Sequence, residues 1–504
     1  MFRNITSAIT YANPSFPPLL SFPRNLSPTT IGERESKRLW MPDQVRHNKV
    51  FCCRCNKIVV IICCTILFLL CHPPAISADQ TLPFKEGDVL ALTQCIEIAL
   101  KNQPTLKAAR SSVEASQARV TQSKADYLPQ ISLHSAYDRV HTEFSGRFMS
   151  AGGTTSNYSS GVNLIQLFYD FGRTGGKIEA SRQNLTMSEY EALDVLQAVI
   201  LNVEQAYYNL LKSRRLLSVA EETIRQREEH LKQAQAFYRV GTRAKIDVTK
   251  AEVDLANSHL DKIKAENALK VARASLNNAM GVRTSIAYTV EDNLQFVPFR
   301  EELTAVTGEA LKNRPDTLAL DAQYNSQKAT LDSALGEYYP RLSGNAAYNL
   351  EGDEYPKDKN WNLGATITFP LFSGFATKGK VAESRAQLQK IQAEKEVLEQ
   401  NVCLEVEQAF WATKEAEELI QTTEKNVIQA RENLDLAEGR YKAGLGSAIE
   451  FMDAQILYTK ANVDHIQALY DHKVAVARLL RAVGRLTFSD QRSAVSVQQT
   501  GDRK

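Results

Sequence analysis

Cysteine is almost absent from most of this chain. Six of its eight cysteines sit at positions 52, 53, 55, 63, 64 and 71, and only Cys95 and Cys403 follow. Two thiols cannot make a disulfide framework, so packing must hold the bulk of the chain, and both are read as packed free thiols. Proline is missing between Pro129 and Pro298 and again after Pro370, which leaves long stretches where nothing breaks a helix. Long hydrophobic runs are missing too. The run Ile58–Cys71 is 14 residues, short of the ~20 a transmembrane helix needs, and a polytopic helical membrane protein is excluded. Nor does one sign of charge dominate. Sixty Lys+Arg against 58 Asp+Glu argue against a dedicated nucleic-acid binder. There is no HExxH, no nucleophile elbow and no Cys/His framework, so neither enzyme chemistry, metal nor cofactor is expected. What is present, 43% hydrophobic and 23% charged residues over 504 positions, suits a folded protein of several domains.

The apolar run Ile58–Cys71 is preceded by Arg54 and Lys57 and followed by Ala75-Ile76-Ser77-Ala78. That is the form of a secretory signal, with cleavage expected after Ala78, the alternative being an uncleaved N-terminal anchor. Met41 is an alternative start. Leu70 and the lack of small residues before Cys71 argue against lipidation. Residues 1–78 carry 9 Lys+Arg and 3 Asp+Glu, leaving 51 basic and 55 acidic residues beyond them. An exported, mildly acidic protein is expected.

The rest is written twice. Ile98–Pro104 (IALKNQP) matches Glu309–Pro315 (EALKNRP) at an offset of 211, as Tyr127-Leu128-Pro129 matches Tyr338-Tyr339-Pro340. Later the offset is 203: Gln205-Ala206-Tyr207-Tyr208 with Gln408-Ala409-Phe410-Trp411, Gly241 with Gly444, Gly281 with Gly484. A tandem duplication follows, with eight extra residues in copy one between Tyr137 and Gln166. The expected organisation is a leader over 1–78, repeat 1 over 79–285, a linker over 286–300, repeat 2 over 301–485 and a polar tail over 486–504. Each copy should begin with a helical stretch, about 90–126 and 301–337. A β-hairpin follows, about 130–169 and 341–370, and then a long helical hairpin, about 175–281 and 378–484.

Between Lys177 and Val240 there is neither Pro nor Gly, which predicts a rod of roughly 93 Å. Copy two repeats it over Val381–Lys442, and the partner helices Ile246–Met280 and Ile449–Val483 return after turns at Gly241 and Gly444. In the second hairpin Trp361, Leu363, Ala365, Ile367 and Phe369 alternate with Asn362, Gly364, Thr366 and Thr368. Nine residues with one apolar and one small polar face fit a membrane-spanning strand, paired with Leu342–Leu350 across a charged loop, Glu351–Asn360. Ile131–Val140 and Tyr158–Phe168 form the copy-one hairpin, with Arg139 and Gln166 breaking its apolar face. The pattern also fits a half-buried soluble hairpin. Four strands cannot close a barrel, and open edges are not tolerated in lipid. Membrane strands would therefore have to be shared among chains, and a conducting lumen favours three or more.

The duplication and its motifs resemble the TolC-like outer-membrane efflux proteins. The carriers are Ala99–Pro104, Tyr127-Leu128-Pro129, Leu167–Gly172 with its copy Pro370–Gly374, and the turns Tyr238–Thr242 and Tyr441–Leu445. The resemblance covers about 88–485. It implies an α+β membrane protein whose protomer adds four transmembrane β-strands and long coiled-coil helices to a homotrimer. That trimer is a twelve-stranded β-barrel in outer-membrane lipid, set on an α-helical barrel in the periplasm. It further implies a passive exit duct, for small molecules or proteins, that docks a periplasmic adaptor and an inner-membrane RND or ABC transporter. Such a duct serves an efflux pump or type I secretion. Two other readings stay open: a periplasmic coiled-coil adaptor, and a structural coiled coil without a pore. An adaptor needs lipoyl-like segments around one hairpin, whereas two hairpins and two strand pairs are present here.

The resemblance places a periplasmic gate near the helical turns, at Asp247, Tyr441, Glu450 and Asp453. Glu450 and Asp453 share a helix face. Local alternatives exist: Ser447–Glu450 reads as a capping box and Asp247 as a first-turn carboxylate. The best-known subgroup has an arginine where Gly446 stands, and Arg243 in the other turn is the candidate gate arginine. Val240, Gly241, Thr242, Ala443, Gly444 and Leu445 are the expected adaptor contacts, or simply helix ends. Gly374–Lys380 has P-loop spacing but Val381 where Ser or Thr is required. His465 and His472, seven apart beside Asp464 and Asp471, are read as lying on a solvated helix face rather than as zinc ligands.

Overall fold

A computed structural model describes residues 85, 87–145, 150–283, 288–353 and 357–486. The proposed leader, its cleavage site and nearly all of the polar tail lie outside them. Among the described residues no helix is long and apolar enough to cross a membrane.

The first helical stretch of each copy is two helices, not one. Copy one has α1 (Leu92–Asn102) and α2 (Pro104–Ala125), and copy two has α5 (Leu303–Asn313) and α6 (Pro315–Gly336). Proline at the first helical position cannot donate to the preceding turn and holds Gln103 and Arg314 extended, with ψ of 120° and 131°. Those two residues then reach across the fold. Gln103 Nε2 donates to the Ala279 carbonyl at 3.0 Å, and Arg314 Nη1 to the Ala482 carbonyl at 3.1 Å. Each satisfies the C-terminus of a long returning helix. Gly281 and Gly484 lie against the same dipeptides, where a Cβ would come within 2.8 Å of Gln103 Cα and 3.1 Å of the Asn313 oxygen. The repeat motif thus locks the returning helix of each copy to its opening pair.

The long hairpins are α3 (Arg173–Arg239) with α4 (Lys245–Ala279), and α7 (Ala376–Lys442) with α8 (Ala448–Val483). Each 67-residue helix is about 100 Å long. Both start earlier than expected, because Gly175, Gly176 and Gly379 are taken into the helix. At each strand-to-helix junction two consecutive residues have positive φ: Phe171 (53°) and Gly172 (85°), then Gly374 (60°) and Phe375 (66°). Asp170 Oδ2 accepts from the Thr174 amide and hydroxyl, and Ser373 bonds Thr377 at the matching place. Gly374 is therefore a chain reversal, and Lys380 of the P-loop-like run ion-pairs with Glu337 at 2.9 Å.

Halfway along the rods, α1 and the strands β1 (Val89–Leu90) and β4 (Thr289–Val290) cover a core containing Cys95, Ile200, Tyr207 and Leu276. The helix α5 covers the matching core of Val402, Val406 and Leu479. Burial pushes the Cys95 thiol up to about 12, while Cys403 is half-buried. His472 is buried against Phe296 and His465 bonds Thr423. His472 therefore does not lie on the solvated face expected for it, while His465 is half-buried.

The sheet is a four-stranded antiparallel meander in the order β2 (Gln130–Ser145), β3 (Ser150–Tyr169), β5 (Arg341–Gly352), β6 (Asp358–Thr368). All four run longer than predicted. Residues 150–157, rich in Gly, Ser and Thr, belong to β3, their backbone paired with β2 from Ser150↔Ser145 to Asn157↔Asp138. The duplication holds in the register: Ile131 faces Leu164, and Leu342 faces Ile367.

Candidate functional site

Two regions carry chemistry: the sheet and the helical tip. Pairing lines up Leu133, Val162, Tyr348 and Trp361 in one row, and Ile131, Leu164, Ala346 and Leu363 in the next. Most of these side chains are exposed in the protomer. The opposite face has the rows Ser132, Asn163, Ala347, Asn362 and His134, Gly161, Asn349, Asn360. One face is apolar across all four strands and the other polar, as in a membrane barrel wall. The two exceptions seen in sequence fall at the ends of the apolar band. Gln166 bonds the Tyr127 carbonyl at 2.9 Å, and Arg139 pairs with Ser156. Below the band, Tyr127, Tyr169, Phe171, Tyr339, Phe372 and Phe375 stay exposed, with Phe171 stacked on Tyr339 at 5.2 Å. This is an interfacial aromatic belt. It was missed in sequence because its members come from four separate chain segments. The Tyr-x-Pro repeats were its visible trace.

The tip holds two turns. Gly241 and Gly444 have φ of 74° and 75°, which glycine adopts at low cost. Val240, Ile246, Leu445 and Ile449 are exposed there. Tyr441, expected in the pore lining, is instead fully covered within the protomer. It stacks on Phe451 with ring centres 5.6 Å apart and meets Phe237 edge-on. Burial, with help from the nearby Asp247 charge, holds its phenol above the ordinary range, and Arg243 opposes this. The Arg243 guanidinium lies 5.3 Å from the Tyr441 ring centre, and its Nη2 donates to the Gly446 carbonyl at 2.9 Å. Arg243 of one turn thus bonds position 446 of the other. Asp247 is half-buried on the first turn of α4. Ser447 accepts from the Glu450 amide at 3.1 Å, as a helix cap should, and Glu450 also pairs with Arg440 at 3.0 Å. Asp453 is exposed one turn on. Among the described residues no cluster of three or more His, Cys, Asp or Glu is placed to hold a metal ion.

The sequence profile of the outer membrane efflux protein family matches residues 95–282 and 306–485. The chain is 24% identical over 425 residues to the outer membrane protein OprJ of Pseudomonas aeruginosa, spanning 81% of this chain and 87% of OprJ. To the outer membrane protein TolC of Vibrio cholerae it is 23% identical over 412 residues, 79% of this chain and 92% of TolC. The crystal structure of the Campylobacter jejuni CmeC outer membrane channel superimposes with a TM-score of 0.70 at 18% identity, over 80% of this chain and 88% of that one. The apolar sheet face, the aromatic belt, the paired rods and a two-part match to both repeats lead to one conclusion: this chain is a member of the outer membrane efflux protein family, an outer-membrane channel protein with its helices in the periplasm.

Proposed function

We propose that three copies close into one conduit, a passive exit duct for a tripartite pump with a periplasmic adaptor and an inner-membrane RND transporter, exporting small molecules. The observation that carries this is a mismatch between the repeats. Inside the chain α3 packs on α8, and Leu201 and Tyr208 of α3 and Ile466 and Val474 of α8 are buried. Their copies at the same offset, Leu404 and Trp411 of α7 and Ile263 and Val271 of α4, are 54%, 56%, 62% and 57% exposed. Four large apolar side chains at helical spacing have no cover within the protomer. A neighbour's α4 laid on α7, as α8 lies on α3, would cover them. The strands argue likewise: β2 and β6 each keep one unpaired edge, which lipid does not tolerate. Three chains, rather than two, leave a lumen instead of a filled interior.

At the tip, Asp453 and Asp247 are the preferred lumen carboxylates. Arg243 holds the two turns of one chain together as a gate latch. The exposed Val240, Thr242 and Leu445 around Gly241 and Gly444 form the adaptor-docking rim, with Ala443 beside them. Purified protein reconstituted in planar bilayers should give discrete channels, and deletion in the host should raise sensitivity to exported compounds. Deletion without any change in sensitivity, together with loss of a secreted protein, would redirect the reading to type I secretion.

A further inference from the structure

Near the tip a cavity of about 190 Å³ separates the two hairpins, walled by α3 on one side and by α7 and α8 on the other. Its lining is mostly polar: acceptor side chains predominate, and one cation, Arg431, stands among them paired with Asp435. His230 and Gln455 are each 2% exposed, and both ring nitrogens of His230 and Oε1 of Gln455 lack hydrogen-bond partners, as does Oε1 of Gln233. An unmet buried acceptor costs roughly 1–3 kcal/mol, so three such side chains around one hollow point to something that fills it. Glu222, Glu229, Asp435 and Glu438 ring the same space. Glu222 pairs with Arg225, Asp435 with Arg431 and Glu438 with Lys442, while Glu229 has no ion pair among the described residues. Burial and the nearby Arg227 hold the His230 ring below its ordinary range, opposed by Asp254 and Asp247. A neutral ring keeps one nitrogen as acceptor. Phe451 and Leu434 supply an apolar floor.

We infer that this inter-hairpin cavity binds a small aliphatic amine cation, an ammonium with several N–H donors on a short alkyl chain. Glu229 takes the charge, Gln233, Gln455 and His230 accept the N–H groups, and Phe451 lies under the methylenes. A bare metal ion fits less well, because the carboxylates are spread around the walls and do not converge. Copy two does not repeat the site: at the offset of 203 the place of His230 is held by Asn433. A ligand here would touch both hairpins of one chain and favour their packed arrangement. That consequence rests on the gating reading above; the binding itself does not.

The test is calorimetric titration of the detergent-solubilised full chain with 1,4-diaminobutane, and separately with magnesium and zinc chloride at matched ionic strength. The expected result is saturable diamine binding, one per chain, weakened about tenfold or more by Glu229→Gln and by Gln455→Leu, as loss of a charge-assisted bond predicts. A second pair, Glu221→Gln and Glu228→Gln, carries the same charge change outside the cavity lining and should leave affinity unchanged. No saturable binding, binding indifferent to Glu229→Gln, equal loss in the control variants, or tighter binding of either metal ion would overturn the assignment. Single-channel recording with and without diamine then reads gating alone: channels that ignore a bound diamine refute the coupling and leave the site standing.

Discussion

Gly176 and Gly379 occupy the same place in the two repeats and live in different surroundings. A Cβ on Gly176 would come within 2.7 Å of the Ala329 carbonyl oxygen and 2.8 Å of the Ser333 amide nitrogen, because α6 lies backbone to backbone on α3. A Cβ on Gly379 would meet nothing within 4 Å. A helix-interior glycine costs roughly 0.5–1 kcal/mol relative to alanine, so Gly379 is unexplained by its own protomer. On the proposed assembly, repeat 1 shows inside one chain how repeat 2 would be used between chains: α6 covers Gly176, and a neighbour's α2 would cover Gly379.

The sharpest way to break this comparison is to fill both positions. Gly176→Leu should prevent the protomer from folding, since the clash is with backbone. Gly379→Leu should leave the protomer helical by circular dichroism and abolish the trimer by light scattering in detergent. Equal behaviour of the two variants would end the parallel. The next effect in size is at the stripe. Trp411→Ala should weaken assembly by about 3–5 kcal/mol per interface if it is buried there, while the equivalent Tyr208→Ala should lower protomer stability instead. Native mass spectrometry at graded concentrations separates the two.

Smaller effects belong to the tip. Arg243→Ala removes a charged bond to Gly446 and the cation–π contact on Tyr441, roughly 1–3 kcal/mol together, and should raise open probability in bilayers. Between the carboxylates proposed for the gate, Asp453→Asn should relieve block by multivalent cations more than Glu450→Gln, because Glu450 is already paired with Arg440. The smallest is a pH effect. The buried rings of His230 and His472 titrate below their ordinary range, so the unfolded chain binds protons that the folded chain refuses. Their contribution is complete above about pH 6.5 and is lost as pH falls, about 1.4 kcal/mol per unit of depression. His230→Gln should flatten part of the fall in melting temperature between pH 7.5 and 5.5.

Much of the fold was legible because its signals are local or repeated. Uninterrupted helix formers from Lys177 to Val240 gave the rods, and the alternation around Trp361 gave the membrane face. What failed depended on distant partners. Gly175 and Gly176 read as breakers, yet both are helical, and Gly176 leaves room for the α6 backbone. The break at Gln103-Pro104 was hidden inside a motif read as a repeat marker and a family trait, and its purpose shows only when Gln103 meets Ala279. Tyr441 was assigned to the lumen through its place in the turn motif, but His230 and Phe237 of α3 and Phe451 of α8 enclose it. The Arg243–Gly446 bond joins residues 203 positions apart, and no local pattern encodes it.

One measurement bears most directly on the claim that the join within a chain is the template for the join between chains. Carrying the β3–β5 register over by the two offsets places Thr366 of β6 opposite Ala136 of a neighbour's β2, at the ~4.5–5.5 Å Cα spacing of an antiparallel pair, within reach of a disulfide. Ala136→Cys with Thr366→Cys, oxidised in outer membranes and run without reductant, should give a closed, covalently linked trimer, and each single variant should stay a monomer. A double variant that remains monomeric on the gel, or that links in a register shifted by one residue, would contradict it.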